Sequence, residues 1–427
     1  MRLLLGQLYD QRAALHLEQR YVGEVLIPQE HLCAHHLREA VRFVVRKYPA
    51  LRGCFTRCEG EWRMDFFAVD AFPVDQALHV VAAAPGVLPG AQVQASVEAL
   101  LTTSTLVPPL LRYILHDADQ AEDQRLVLIF HHLVCDGISS RILWRDLSRA
   151  YRASVQGCPL DDEACDSYPV FAQELAQCYR ALPAEVSPAF GDPARVGVLD
   201  QAAGEQAGKI LEHTLVRHCL QLEPVAVDEL RRCAAEWQVS LSDYLLGCWL
   251  QALSQAQAHG SVALMMWVSP HFVGQWQTPV TQLVGSVSFP LPVRLTLEAG
   301  RGLRETVLSA RPEIEQAMAQ AQAFAIRYFS GVPGAPLPDL PAIGFNFISA
   351  HKPGASLIGY RPAPEQLHIA RDPRQVADLP LSFEAELYER RLRLTVLVAP
   401  EIARALPIEA LVDRLFEGMR PIAMAEG

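Results

Sequence analysis

His131 and His132 stand side by side, and Asp136-Gly137 follow three residues later, in the string His-His-Leu-Val-Cys-Asp-Gly. Histidine is the residue suited to taking a proton from a hydroxyl or amine, because its ordinary pKa of about 6.5 leaves a neutral ring at cellular pH. Proton removal of that kind serves acyl transfer, among other reactions, where a developing oxyanion also needs donors. Spacing alone leaves a purely structural histidine open as well, since His-x-x-x-Asp arises by chance in many chains.

The flanking residues say how these groups must be held. Arg125-Leu-Val-Leu-Ile-Phe130 is a short, continuously apolar run without Gly or Pro, which reads as a buried strand. Beyond Gly137, the residues Ile138, Ile142, Leu143, Leu147 and Tyr151 recur at helical spacing. The histidines and the aspartate are thus placed at a strand-to-helix turn, where rigid elements flank a tight loop. Neighbouring strand residues point to opposite faces, so both histidines cannot enter one site. His132 is the candidate catalytic residue and His131 is assigned to structure. Gly137 is expected to permit the turn, with its N–H facing the oxyanion. Ser139 is expected to cap the helix or support the site, with capping preferred.

Strands and helices alternate through the rest of the chain. Strands are expected at 21–27, 52–58, 62–67, 110–115, 210–222, 262–268, 284–295, 343–349 and 392–398. Helices are expected up to Tyr48, at 168–182, 225–237, 241–258 and 408–419. Ser240 is a plausible N-cap, with Asp243 at the third helical position. Pro183 to Gly208 is rich in Pro, Gly and Ala without a period and reads as a linker. The expected organisation is an N-terminal α/β unit (1–183) carrying the histidines, a linker (184–208) and a C-terminal α/β unit (209–427).

The chain has 427 residues, half of them hydrophobic, enough for two domains with sizeable cores. Its 37 Lys and Arg against 48 Asp and Glu give −11, which argues against a general nucleic-acid binder. Ten cysteines without a CxxC pair, no secretory signal and no long apolar run are expected of a cytoplasmic protein without a membrane span. His31, Cys33, His35 and His36 are a weak metal cluster, because they fall on the first turns of an amphipathic helix and lack zinc-like spacing. No metal is expected.

The histidine string resembles the signature of the condensation-domain superfamily, which includes nonribosomal peptide synthetase domains and chloramphenicol acetyltransferase-like enzymes. Further segments are similar to that family's motifs, in the same order: Lys47-Tyr-Pro-Ala-Leu-Arg-Gly-Cys-Phe55, Leu110–Leu115, Tyr168-Pro-Val-Phe-Ala172 and Val284-Gly-Ser-Val-Ser-Phe-Pro-Leu-Pro-Val-Arg294. The chain departs from the family at Val170, where an Asp is usual, and at Phe289-Pro290, where Asn-Thr is usual.

The resemblance implies two chloramphenicol acetyltransferase-like α/β sandwiches forming a V, with a channel into which His132 points. It implies a salt bridge from Asp136 to Arg294 that holds the active-site loop. It implies a free-standing, monomeric acyltransferase without a resident cofactor. The acyl group would arrive as a thioester on the phosphopantetheine of an acyl or peptidyl carrier protein, and the acceptor would be a hydroxyl or amine. Alternatives are a coenzyme A-dependent O-acyltransferase, a non-catalytic carrier-protein recruitment module, which would be expected to lose the histidine or Asp-Gly, and an epimerase, which needs an acid opposite the histidine.

Overall fold

The computed structural model of the protein describes residues 20–58, 61–84, 86–102, 106–160, 165, 167–181, 198–254, 256, 259–329, 340–349, 359–365, 367–369, 373, 375–388, 390–417 and 419. In the first half, strands β1 (Tyr21–Pro28), β4 (Leu78–Ala82), β5 (Leu111–Asp117) and β6 (Arg125–His131) form one sheet. Helices α1 (Ala34–Lys47), α2 (Pro89–Thr102), α3 (Gly137–Gln156) and α4 (Ser167–Ala181) accompany it, and β2 (Gly53–Cys58) pairs with β3 (Glu61–Phe66) as a separate hairpin. The alternation of side chains decides which helix covers which face. Tyr21, Val25, Val127 and Ile129 meet Val93 and Val97 of α2. Leu26, Leu128 and Phe130 point the other way, into the core shared with α1 and α3. Burial on both faces explains the unbroken apolar run of β6.

Inside that core α1 and α3 are joined through Asp146, which accepts from Lys47 Nζ at 2.6 Å, Tyr48 Oη at 2.6 Å and Arg145 Nε at 2.7 Å. A carboxylate with no exposure is kept ionised by these three donors, which outweigh the cost of burial. Lys47 and Tyr48, at the head of their motif, thus hold the two helices together.

The second half is a six-stranded sheet with helices on it. Its strands are β7 (Val216–Leu222), β8 (His259–Val268), β9 (Phe289–Glu298), β10 (Ile343–Ser349), β12 (Leu381–Tyr388) and β13 (Arg391–Val398). Its helices are α5 (Val198–Gln206), α6 (Pro224–Glu236), α7 (Leu241–Leu253), α8 (Leu303–Tyr328), α9 (Pro400–Ala405) and α10 (Ile408–Glu417). Ser240 and Asp243 form the expected capping box of α7. Trp249 of α7 packs on Phe383 with ring centroids 5.6 Å apart. The expected linker is a helix over Val198–Gln206, while 184–197 lie outside the described residues.

Two segments of the second half cross to the first. β11 (Tyr360–Pro362) adds to the N-terminal sheet beside β1, in the order β11-β1-β6-β5-β4. Beyond it, Glu365 accepts from Arg125 Nη2 at 2.8 Å. The other segment is the excursion between β8 and β9. Its two ends meet where Val268 pairs with Phe289, and everything from 269 to 288 projects from that junction. Glu174 of α4 holds its outer part, accepting from the backbone N–H of Gln277 and Thr278 at 2.7 and 2.8 Å. Residues of 209–427 thus contribute a strand and an anchored excursion to the first half.

Candidate active site

β6 ends at His131, a turn follows, and Asp136 caps α3. His131 has no exposure; its Nδ1 accepts from Leu133 N–H at 3.1 Å and its ring meets Tyr21 edge-on at 4.9 Å. His132 faces elsewhere. Its backbone N–H donates to Arg20 C=O at 2.8 Å, and its Nδ1 lies 3.5 Å from Ser286 Oγ. Burial lowers the His132 pKa; the nearby Asp136 and a hydrogen bond from the ring to its own carbonyl only partly offset this. Nε2 has no protein partner among the described residues. The ring is neutral at pH 7.

Asp136 is tied to both halves of the chain. Oδ1 accepts from the backbone of Ile138 at 3.2 Å and Ser139 at 2.8 Å, which satisfies orphan amides of α3. Oδ2 accepts from the backbone of Val287 at 3.1 Å and Ser288 at 2.9 Å. It also accepts from Ser288 Oγ at 2.8 Å. Burial pushes this carboxyl up, but the Ser139 amide, the nearby His271 and the Ser288 hydroxyl hold it below the usual range.

Three expectations are corrected here. Arg294 is not among the partners of Asp136. It lies six residues past Ser288, roughly 20 Å along an extended strand. Its Nη1 donates to Ser261 Oγ at 3.1 Å and lies 3.9 Å from Asp200 Oδ2. The loop is anchored by backbone amides rather than by an arginine. The helix cap is Asp136, not Ser139. Ser139 Oγ instead donates to Gly285 C=O at 2.8 Å and accepts from Gly285 N–H at 3.1 Å. Gly137 has no positive φ, and a Cβ built there meets nothing within 4 Å, so the turn itself does not demand glycine.

The glycine that close approach does require is Gly285. A Cβ there would sit 2.1 Å from Tyr168 Cδ2 and Cε2. Tyr168, on α4, is 2% exposed and packs edge-on against Phe66. At the root of the crossing segment, His271 Nε2–H donates to Leu283 C=O at 2.9 Å, and Nδ1 and Ser269 Oγ share a hydrogen bond of 2.6 Å. On the other side, Arg20 reaches Asp378, just before β12, with Nη1 at 3.1 Å and Nη2 at 2.7 Å. Sequence reasoning misses Ser286, Ser288, His271, Arg20 and Asp378. The first two lie inside the quoted Val284–Arg294 motif, while the others carry no local pattern. Phe289 is fully buried in the core, against Phe324 and Phe329.

The histidine and cysteine cluster near α1 disperses. His31 Nε2 faces Ala118 C=O, His36 Nδ1 faces Ser154 Oγ, and Cys33 N–H donates to Tyr151 Oη. Among the described residues no three His, Cys, Asp or Glu side chains gather as metal ligands, and no helix is long and apolar enough to cross a membrane.

Comparison with known proteins agrees with this architecture. The crystal structure of the epimerization domain from the third module of tyrocidine synthetase B superposes with a TM-score of 0.73 at 17% identity, covering 97% of this chain and 95% of that one. The SgcC5 protein of Streptomyces globisporus gives 0.66 at 18% identity, covering 98% of each chain. These likenesses establish the chloramphenicol acetyltransferase-like α/β fold. In sequence, bacitracin synthase 2 of Bacillus licheniformis is 40% identical over 57 residues, 13% of this chain and 2% of that protein. Bacitracin synthase 1 of the same organism is 43% identical over 65 residues, 14% of this chain and 1% of that protein. The chain spans only a small part of these curated relatives. The model of the condensation domain matches residues 16–324, most of the sequence, and the chain belongs to the condensation-domain family.

Proposed function

We propose that the chain is a condensation-type acyltransferase in natural-product biosynthesis. It takes an acyl group from the phosphopantetheine thioester of a carrier protein and joins it to a hydroxyl or amine. The observation that carries this reading is His132: its pKa lowered by burial, its Nδ1 beside Ser286, its Nε2 without a protein partner among the described residues, on a turn fastened from both halves of the chain.

In this reading Nε2 removes the proton of the acceptor O–H or N–H while that oxygen or nitrogen adds to the thioester carbonyl. The tetrahedral oxyanion then collapses, the C–S bond breaks, and the proton passes from Nε2 to the departing thiolate. The ring ends neutral. Gly137 supports the oxyanion role assigned to it in one respect: it is exposed at the head of α3, with open space at its Cα and an amide ahead of the helical ladder. Proton transfer by a positioned histidine is typically worth ~10²–10⁴-fold in rate.

The test is mass spectrometry of products from a panel of acyl-carrier-protein, acyl-pantetheine and acyl-coenzyme A donors with amine and alcohol acceptors. Wild type yields an ester or amide, and His132→Ala yields none while melting at the wild-type temperature. Undiminished product from His132→Ala overturns the assignment. Turnover of coenzyme A donors but not carrier-bound ones redirects the donor class.

A further inference from the structure

Ser286 is a buried serine whose neighbours are all spoken for. It is 2% exposed, and its hydroxyl has His132 Nδ1 as its only polar partner among the described residues. Its placement is fixed from both sides. Residue 285 is clamped by two hydrogen bonds to Ser139 and lies under the Tyr168 ring. Residues 287 and 288 are clamped by their amides on Asp136. A side chain with locked neighbours on both flanks loses little further freedom when it makes a bond, which is what preorganisation requires.

We propose that Ser286 is a positioning residue for His132, its Oγ accepting a hydrogen bond from Nδ1–H when the ring takes up a proton at Nε2. In the structure the contact is long, 3.5 Å. Once the ring is an imidazolium, a charged donor draws its acceptor closer, since charge-assisted bonds run near ~2.7–2.9 Å. The crossing segment thereby supplies an acceptor that counts most in the protonated state, and so most along the proton-transfer step.

The other charges at this ring are Asp136 at the head of α3, Arg20 before β1 and Asp378 before β12. The two carboxylates are already engaged, by backbone amides and by Arg20 respectively. Ser286 is the side chain facing Nδ1. This role deepens the acyltransferase reading and rests on it for its catalytic meaning, but its first test does not depend on turnover.

That test is an NMR titration of the full chain with 13Cε1-labelled histidine, the His132 signal assigned by its loss in His132→Gln. Ser286→Ala lowers the His132 pKa by about one unit, a tenfold change in the protonated-to-neutral ratio, and Ser286→Thr keeps the wild-type value. If the alanine variant melts too low to titrate, Ser286→Cys, a weaker acceptor of similar size, shows a smaller shift in the same direction. An unchanged pKa in the alanine variant, or in the cysteine variant where that one is used, overturns the proposal. With an active donor found, Ser286→Ala lowers kcat about tenfold at unchanged KM, and its acid limb moves to lower pH. A purely structural serine would lower the melt without moving that limb. If wild type turns over no donor, the acyltransferase reading falls while the titration still decides the role of Ser286.

Discussion

Asp136 Oδ2 accepts the Ser288 hydroxyl at 2.8 Å, so the residue that caps the helix after the histidines also grips the last residue before β9. The same carboxylate serves four backbone amides. Asp136→Ala removes one side chain and leaves several buried donors without partners. Each such loss costs about 1–3 kcal/mol, so the variant is expected to lose at least about 3 kcal/mol. Urea unfolding of the two proteins measures it, and a midpoint unchanged at equal slope would contradict the anchoring role.

The same carboxylate gives the acid limb of stability a definite sign. Its folded pKa is held below the ordinary value by amides and by nearby His271, despite the burial that opposes them. A depressed carboxyl contributes stability that is fully present above its unfolded pKa of about 3.9 and is lost as pH falls through the folded value. The stability gap between wild type and Asp136→Asn is therefore expected to narrow as pH drops from about 6 toward about 3. A gap that stays constant over that range would show that the charge is not what is stabilised.

Gly285→Ala is expected to be among the most damaging small substitutions in the chain. The new methyl would lie 2.1 Å from the Tyr168 ring, which is itself buried and cannot swing into solvent. Overpacking of this kind costs about 1–3 kcal/mol, and the displaced segment carries Ser286 away from His132. Tyr168→Ala alone leaves a cavity costing about 3–5 kcal/mol. Together the two changes are expected to cost less than their sum by at least about 1 kcal/mol, because each relieves the other. Additive losses in thermal melts would mean that the ring and the glycine do not meet.

Much of this site is legible in the residues. The apolar run ending at His131, the helical spacing after Gly137 and the opposite facing of neighbouring strand residues put the two histidines on different faces without coordinates, and the family resemblance picks out His132. The anchoring of Asp136 is not legible, because its partners are amides, which every residue carries. Arg294 is an arginine in the expected place, and only the length of β9 shows that it points to Asp200 instead. The strand β12 does carry a signal, the alternation Leu381, Phe383, Ala385, Leu387, which the expected strands omit. The long helix α8 escapes a period-based reading because Pro312 lies inside it and only seven of its 26 residues are buried, most of them near its C-terminal end. Residues 284–288 read as the start of a strand, but they are spent on side chains of the other half rather than on a ladder.

Glu384 on β12 gives a second pH signature, of opposite sign. Burial, then the neighbouring Glu386, push its carboxyl from the usual 4.5 up to about 7, with Arg217 opposing. A carboxyl raised on folding favours the folded state fully only below its unfolded pKa, and that contribution disappears as pH rises through about 7. At about 1.36 kcal/mol per unit, and allowing for partial solvent access, the loss between about pH 4.5 and about pH 8 is on the order of 2 kcal/mol. Glu384→Gln is expected to flatten that decline and to be the more stable protein at about pH 8. Parallel stability curves for the two proteins would sink this account.

The separation of Arg294 from Asp136 is tested most directly by a double-mutant cycle. If the two side chains formed an ion pair, removing either would leave the other buried and uncompensated, and removing both would cost far less than the sum. Here Asp136 spends itself on amides and Ser288, while Arg294 joins β9 to Ser261 and to Asp200 on α5. Arg294→Ala is expected to cost about 1 kcal/mol through the weaker hold on α5, leaving His132 in place. Combined with Asp136→Ala it should give additive losses, with coupling inside about 0.5 kcal/mol, as expected of sites without shared partners. A favourable coupling above about 1.5 kcal/mol in urea unfolding would restore the ion pair and displace the amide-anchored loop described here.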